Sequence, residues 1–128
     1  MALIQHPTSS TTEAIIGAAI EVHRTIGPGV LESTYNRCMR RELDLRGIPS
    51  ESEVSLPLEY KGVKLDHGYI IDLIVKDEVI VELKCVMKLL PIHECQLLTY
   101  LRLRGITTGL LINFKVPLLR DGIKRILL

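Results

Sequence analysis

Apolar side chains in the first third of the chain recur at helical spacing. They form one stripe from about Ser10 to Ile26 and a second from about Leu31 to Arg46, and Gly27-Pro28-Gly29 separates the two. Apolar residues three or four positions apart share one face of a helix, and glycine beside proline interrupts helices. The pattern therefore predicts two helices that form a hairpin.

From Val54 onward the apolar spacing changes to two, which is typical of strands. Apolar and polar residues alternate from Val54 to Tyr60, and Pro57 favours a place near a sheet edge. Two more strands are predicted over about 68–75 and 79–84, and their close spacing favours an antiparallel pair. The remaining predicted elements are a helix over about 92–104 and strands over about 109–114 and 123–128.

The predicted order ααβββαββ favours an α/β domain with a mixed central sheet flanked by helices. A chain of 128 residues is long enough for one core but not for two, so residues 1–128 are interpreted as a single domain. The polar segment 1–9 is expected to be frayed.

Charge is close to balanced over the whole chain but unevenly distributed. The net charge is +1, so any contact with nucleic acid must come from a local patch rather than a global field. Residues 1–60 carry five basic and eight acidic side chains, whereas residues 61–128 carry eleven basic and seven acidic ones. This asymmetry is either chance on a mixed surface or a basic rim around a site in the C-terminal half.

The cysteines and the apolar runs bear on the compartment. The three cysteines show no metal-ligand spacing, which favours free thiols in a reducing compartment. Residues 1–10 lack a signal-peptide pattern, and no apolar run approaches the ~20 residues of a membrane span. We expect a cytoplasmic protein without a membrane partner.

Three charged residues interrupt strands that are otherwise apolar. Asp72 lies within one predicted strand, and Glu82 and Lys84 lie within the next. Strand side chains alternate between faces, so Glu82 and Lys84 share a face, and Asp72 can lie beside them if the strands pair. Burial of such charges is costly unless they pair with each other or hold a metal.

Two interpretations of this cluster remain open on spacing alone. Two carboxylates, a backbone carbonyl (that of Leu83) and waters suit Mg²⁺, with Mn²⁺ as an alternative. A bound ion would lower the pKa of a water, and Lys84 could orient or deprotonate that water for attack on phosphorus. In the other interpretation, Lys84 simply forms salt bridges with Glu82 and Asp72, and no metal binds.

A set of motifs resembles a known family. The segment Gly29-Val-Leu-Glu32-Ser-Thr-Tyr35 matches the motif that names the GxxExxY family, which is placed in the PD-(D/E)XK nuclease superfamily. The resemblance covers nearly all of the chain from Glu13 to Leu128. It includes five further segments: Asp72-Leu-Ile-Val75, Val79-Ile-Val-Glu82-Leu-Lys84, His93-Glu-Cys-Gln96-Leu-Leu-Thr-Tyr100, Gly109-Leu-Leu-Ile-Asn-Phe114 and Ile123-Lys-Arg125.

The resemblance implies a restriction-endonuclease-like core and a role for each matching residue. Asp72 and Glu82 correspond to the metal-binding acids and Lys84 to the motif lysine, although Ile71 stands where many members have proline. Glu32 corresponds to a first-helix acid that often acts on the metal through water. Residues Gln96 and Tyr100 match a Q-x3-Y pattern near the substrate, and His93 is a looser match. Lys88 is a further candidate for a phosphate contact because of its charge, not because of the resemblance.

Structural alternatives stay open for these supporting residues. Glu32 could be a first-turn acid favoured by the helix dipole, and Tyr35 continues an apolar stripe that favours a core role. Gln96 could be a cap or a sheet-end hydrogen-bonding group, and Lys88 could belong to a solvated basic face.

Two hypotheses about function follow. The first is a Mg²⁺-dependent nuclease that acts on nucleic acid, DNA rather than RNA. The second is a catalytically silent nuclease-fold domain that binds a partner or forms a homo-oligomer, because the C-terminal third is very apolar.

Overall fold

The computed structural model describes residues 9–65 and 68–128. Within these ranges the chain forms, in order, α1 (Ser9–Ile26), α2 (Glu32–Leu45), β1 (Ser50–Ser55), β2 (Leu58–Tyr60), β3 (Val63–Leu65), β4 (Ile70–Val75), β5 (Val79–Lys84), α3 (Pro91–Arg104), β6 (Thr108–Asn113), a 3₁₀ turn (Leu119–Gly122) and β7 (Ile123–Leu127). The expected fraying of residues 1–9 concerns mainly residues 1–8, which lie outside the described residues, while Ser9 begins α1.

A mixed sheet of five strands, in the order β1-β4-β5-β6-β7, forms the centre of the fold. β1, β4 and β5 pair antiparallel, β5 and β6 pair parallel, and β7 returns antiparallel to β6. The parallel pair follows from α3, because a parallel connection needs a crossover segment between its strands. The predicted mixed sheet in an α/β domain is confirmed.

Helices cover both faces of this sheet, and each face has its own apolar core. On one face, α1 and α2 pack against residues such as Leu73, Val81 and Ile112. On the other face, α3 packs against residues such as Ile80 and Leu111. Successive strand residues point to opposite faces, so one sheet serves both cores.

The predicted strand from Val54 to Tyr60 is wrong in its extent. β1 begins four residues earlier, at Ser50, and ends at Ser55 just before Pro57, which has no N–H for the ladder. β2 and β3 then form a separate two-stranded hairpin. Lys61 and Gly62 close this hairpin with φ of 48° and 84°, the left-handed backbone that tight hairpin turns require. The observed order therefore contains one hairpin more than the predicted ααβββαββ.

The longest of the described helices is α1, with 18 residues. Its Ile15, Ala18 and Ala19 are fully buried against the rest of the chain. Within residues 9–65 and 68–128, no helix combines the length and the apolar character that crossing a membrane demands.

Candidate functional site

β4 and β5 separate at the position of two carboxylates. Their register pairs Val75 with Val79, Ile74 with Ile80 and Leu73 with Val81, and it ends there. The next residues are Asp72 and Glu82, and their side chains take over the bonding of the backbone. The Asp72 N–H donates to Glu82 Oε1 at 3.1 Å, and the Leu83 N–H donates to Asp72 Oδ2 at 2.8 Å. Each carboxylate therefore occupies the fork between the strands and accepts a hydrogen bond from a backbone N–H of the opposite strand.

The pairing of β4 with β1 is also interrupted at Asp72. Ser52 pairs with Leu73 and Val54 pairs with Ile71, but Glu53 and Asp72 between them do not form a pair in the described register. Glu53 has a φ of 51°, a left-handed conformation that costs a non-glycine residue about 1 kcal/mol or more. Local backbone strain of this kind concentrates at functional sites.

Burial and mutual repulsion perturb the two carboxylates. Glu82 is 4% exposed, and this burial, followed by the charge of Asp72, raises the pKa of Glu82 to about 8. Burial also raises the pKa of Asp72, although hydrogen bonds from the Leu83 N–H and with the Glu82 carboxyl oppose this shift. Two like charges in one desolvated site cannot both ionise easily. At neutral pH the pair therefore holds a proton unless a cation replaces it.

Lys84 lies near the carboxylates without forming an ion pair with them. Its charge lowers the pKa of Asp72 and of Glu82, yet no contact of 4.0 Å or less joins it to either acid in the part of the chain that the structure describes. The salt-bridged arrangement that would dispense with a metal is thus not formed among these residues. The half-buried Lys84 is held at its backbone, where its carbonyl accepts the Phe114 N–H at 2.9 Å.

Glu32 reaches the same end of the sheet from α2. Its Oε2 accepts the Cys85 N–H at 3.0 Å, directly after Lys84, and its charge contributes to the raised pKa of Asp72. No cluster of three or more His, Cys, Asp or Glu side chains close enough to bind a metal occurs within residues 9–65 and 68–128. A role of Glu32 at a metal, directly or through a water, stays a prediction.

Tyr35 fixes the turn that leads into α2. Its ring stacks on Phe114 with centroids 4.1 Å apart, and its hydroxyl donates to the Gly27 carbonyl. The side chain is fully buried. The structure therefore gives this motif tyrosine a core position, from which it orients the turn that precedes Glu32.

Two buried asparagines support the site, and sequence reasoning did not identify them. The Asn36 Nδ2 donates to the Asp72 carbonyl at 3.2 Å, and its Oδ1 has no partner among the described residues. Asn113 binds both the N–H and the carbonyl of Val86 and so shapes the chain just after β5. The only signal in the sequence was a polar residue within an apolar stripe or strand.

α3 carries Gln96, which is exposed, and Tyr100, which is buried. Gln96 Nε2 donates to the Tyr100 hydroxyl at 3.0 Å. Burial raises the pKa of Tyr100, and the charges of Glu82 and Asp72 add to this effect. The charges of the two acids therefore act on Tyr100, and Gln96 is connected to them only through the Tyr100 hydroxyl among the described residues.

The two proposed substrate contacts are placed differently. The His93 Nδ1 accepts the Leu90 N–H at 2.9 Å and caps the start of α3, which leaves only Nε2 for another partner. Lys88 is exposed in the loop between β5 and α3, and no hydrogen bond or ion pair fixes it within the described chain. A substrate role for either residue stays a prediction.

The donor set at the fork fits a hard divalent cation. Asp72 and Glu82 offer carboxylate oxygens on neighbouring strands, and such oxygens are the protein ligands that Mg²⁺ and Mn²⁺ prefer. A cation would replace the proton that the pair retains and would remove their repulsion. Leu83, between Glu82 and Lys84, has its N–H bonded to Asp72, and its carbonyl as a third ligand stays a prediction.

Comparison with known proteins adds one finding to this geometry. The sequence model of the PD-(D/E)XK nuclease superfamily matches residues 9–126. No curated protein matches the chain significantly, and no solved structure does.

Proposed function

Because the chain belongs to the PD-(D/E)XK nuclease superfamily, we propose that it hydrolyses phosphodiester bonds of nucleic acid with a divalent ion held by Asp72 and Glu82. One observation carries this proposal. A buried carboxylate, that of Glu82, and a half-buried one, that of Asp72, meet in a fork between strands, and no cation of the described chain is within ion-pair distance of either. Burial of charges without such a partner is costly, and a bound metal would offset that cost.

Each site residue has a role in this reaction. A bound divalent ion supplies Lewis acidity and a water of lowered pKa. Asp72 and Glu82 would hold the ion, with the Leu83 carbonyl as a further ligand, and the charge of Lys84 would hold the attacking water or a phosphate oxygen. The water oxygen bonds to phosphorus while the P–O bond to a sugar oxygen breaks. The proton that the water releases balances the one that the sugar oxygen takes up.

Supporting residues act from two helices. Glu32 on α2 would act on the ion through a water, because it forms no three-residue metal-binding cluster with Asp72 and Glu82 among the described residues. Gln96 and Tyr100 on α3 line the substrate side of the carboxylates, since Tyr100 responds to their charges. His93 Nε2 and Lys88 are the candidates for contacts with more distant phosphates.

Finer assignments belong to the same proposal. We propose Mg²⁺ as the resident ion, with Mn²⁺ able to replace it, and DNA rather than RNA as substrate. The motif from Gly29 to Tyr35 supports placement in the GxxExxY group. Three free cysteines support a reducing compartment such as the cytoplasm.

Metal binding and cleavage test the proposal together. Calorimetric titration of Mg²⁺ and Mn²⁺ into wild type should give heat of binding, and Glu82→Gln should abolish it. The same samples, incubated with single- and double-stranded DNA and RNA, should show metal-dependent cleavage by wild type and none by Glu82→Gln or Lys84→Ala.

A matched control is Glu51→Gln, which makes the same chemical change on the exposed part of β1. It should leave both binding and cleavage unchanged. Absence of metal binding by folded wild type at millimolar concentration would refute the proposal. So would equal cleavage by wild type and by Glu82→Gln.

A further inference from the structure

A pocket of about 290 Å³ lies between α3 and the segments that flank the β2–β3 hairpin. Leu58, Ile92 and Leu103 contribute apolar walls, and Tyr69 and Tyr100 contribute aromatic rings. The role proposed for the carboxylates does not use this pocket. Its size is close to the lower end of the range typical of small-molecule sites in proteins.

The pocket shares its wall with the carboxylate site. Tyr100 lines the pocket and packs in the same apolar core as Ile71 and Ile80, which lie on the two strands that carry Asp72 and Glu82. Tyr69 also lines the pocket, and it precedes Asp72 by three residues. At about 3.3 Å per strand residue, the two Cα atoms lie roughly 10 Å apart, a distance that one or two nucleotides of an extended strand cover.

The chemistry of the lining favours a flat group with apolar faces and polar edges. Among the described residues, no Asp, Glu, Lys or Arg lines the pocket, so it offers nothing to neutralise a phosphate. Gln96 spends one N–H on the Tyr100 hydroxyl and makes no other hydrogen bond within the described chain. Its carboxamide oxygen and second N–H are thus available to a ligand edge, beside the half-exposed ring of Tyr69, on which a planar group can stack.

We infer that this pocket holds the base of a nucleotide next to the cleaved phosphate and thereby selects single-stranded or frayed nucleic acid. The inference rests on the proposed function, which places a phosphate at Asp72 and Glu82. Bases inside a duplex are paired and stacked, and to bring one into a pocket costs a few kcal/mol. A second copy of the chain is a poorer occupant, because stable interfaces bury roughly 1,200–2,000 Å² rather than fill a small concavity.

Binding without metal tests the pocket independently of cleavage. Fluorescence anisotropy in EDTA would measure the affinity of the full chain for three labelled oligonucleotides. They are a single strand, the same strand with abasic sites at its centre, and the corresponding duplex. We expect the intact single strand to bind most tightly, because only it offers an accessible base.

Two tyrosines provide the matched variants. Tyr69→Ala removes a half-exposed ring from the pocket, whereas Tyr60→Ala removes an exposed ring from the hairpin outside it. Loss of one stacked base corresponds to a roughly 5- to 150-fold weaker affinity, so Tyr69→Ala should lose the preference for the intact strand. Tyr60→Ala should retain it. Thr99→Phe, which fills the pocket from the exposed side of α3, should act like Tyr69→Ala without a change in the sheet.

The outcomes separate this inference from the function on which it rests. Equal affinity of wild type for the intact and abasic strands would overturn the assignment of the pocket as a base-binding site, even if metal-dependent cleavage is observed. A change in sedimentation of Tyr69→Ala without a change in strand preference would also overturn it, in favour of a second copy of the chain. Preference for the intact strand without any cleavage would support the pocket and refute the nuclease proposal.

Discussion

The substitution Glu82→Gln should stabilise the metal-free protein at neutral and alkaline pH. The introduced carboxamide keeps the shape of the side chain and the oxygen that accepts the Asp72 N–H, but it carries no charge. The change therefore isolates the free-energy cost of ionising a buried carboxylate beside Asp72.

The magnitude follows from the pKa of Glu82, which is raised from an ordinary 4.5 to about 8. Between these values the folded state binds a proton that the unfolded state has released, so the free energy of unfolding falls as the pH rises. Each unit of pKa difference corresponds to about 1.4 kcal/mol, which gives a loss of about 3 kcal/mol from pH 5 to pH 8. Wild type should show this loss, and Glu82→Gln should lack most of it.

Urea unfolding followed by far-UV circular dichroism measures this difference, since the chain has no Trp for fluorescence. Samples in EDTA at pH 5 and pH 8 would compare wild type, Glu82→Gln and the exposed control Glu51→Gln. The control should follow wild type within about 0.5 kcal/mol. The same loss of stability between pH 5 and pH 8 in wild type and Glu82→Gln would refute the reasoning, because the charge on Glu82 would then not be its source.

Addition of metal should offset most of the stability that wild type loses by pH 8. A ligand that binds only the folded state at a hundred times its Kd adds about 2.7 kcal/mol. Saturating Mg²⁺ at pH 8 should therefore stabilise wild type and leave Glu82→Gln unchanged. A variant stabilised by Mg²⁺ as strongly as wild type would contradict the assignment of Glu82 as a ligand.

Three further predictions concern the same site and its support. Because a metal must displace the proton that Glu82 retains, the Mg²⁺ affinity measured by calorimetry should rise by up to about tenfold per pH unit towards pH 8 and then level off. An affinity independent of pH would argue against Glu82 as a protonated ligand. Gly122→Ala should destabilise the fold by about 2 kcal/mol or more in urea unfolding, since a Cβ there would lie 2.1 Å from the Asn113 carbonyl oxygen. Gly29→Ala, with nothing within 4 Å of its Cβ, is the control and should be nearly neutral. Asn36→Leu removes a hydrogen bond to the Asp72 carbonyl, but it also removes a buried oxygen that has no partner among the described residues. The free energy of unfolding should therefore change by about 1 kcal/mol or less, while Mg²⁺ affinity falls. A large loss of stability with unchanged affinity would assign Asn36 to the core alone.

Much of the fold could be predicted because its signals are local. The period of apolar residues places α1, α2 and α3 within a few residues of their observed bounds, since a helix forms contacts within four positions. β1 was harder to predict, because its first four residues are polar and no apolar alternation marks them. Its pairing with β4 depends on a strand fifteen or more residues away, which a local pattern does not contain.

The candidate site divides in the same way. Alternation in a strand is enough to place Glu82 and Lys84 on one face and to mark Asp72 as an unusual charge. It does not predict that the ladder ends at Leu73, or that each carboxylate bonds to the backbone of the opposite strand. Nor does it predict that His93 caps α3. The bond from the Leu90 N–H to His93 Nδ1 can be anticipated only once the first residue of the helix is known.

Local patterns in the sequence predict the three helices and most of the central sheet, and they mark the charged residues that apolar strands bury only at a cost in free energy. How those charges are used depends on the tertiary structure. The opening of the fork, the Asn36 bond to the strand carrying Asp72 and the pocket beside Tyr100 all join segments distant along the chain. The physical reason is one of range. Propensity and periodicity act over a few residues, whereas the desolvation that raises the pKa of Glu82 depends on every segment packed around it.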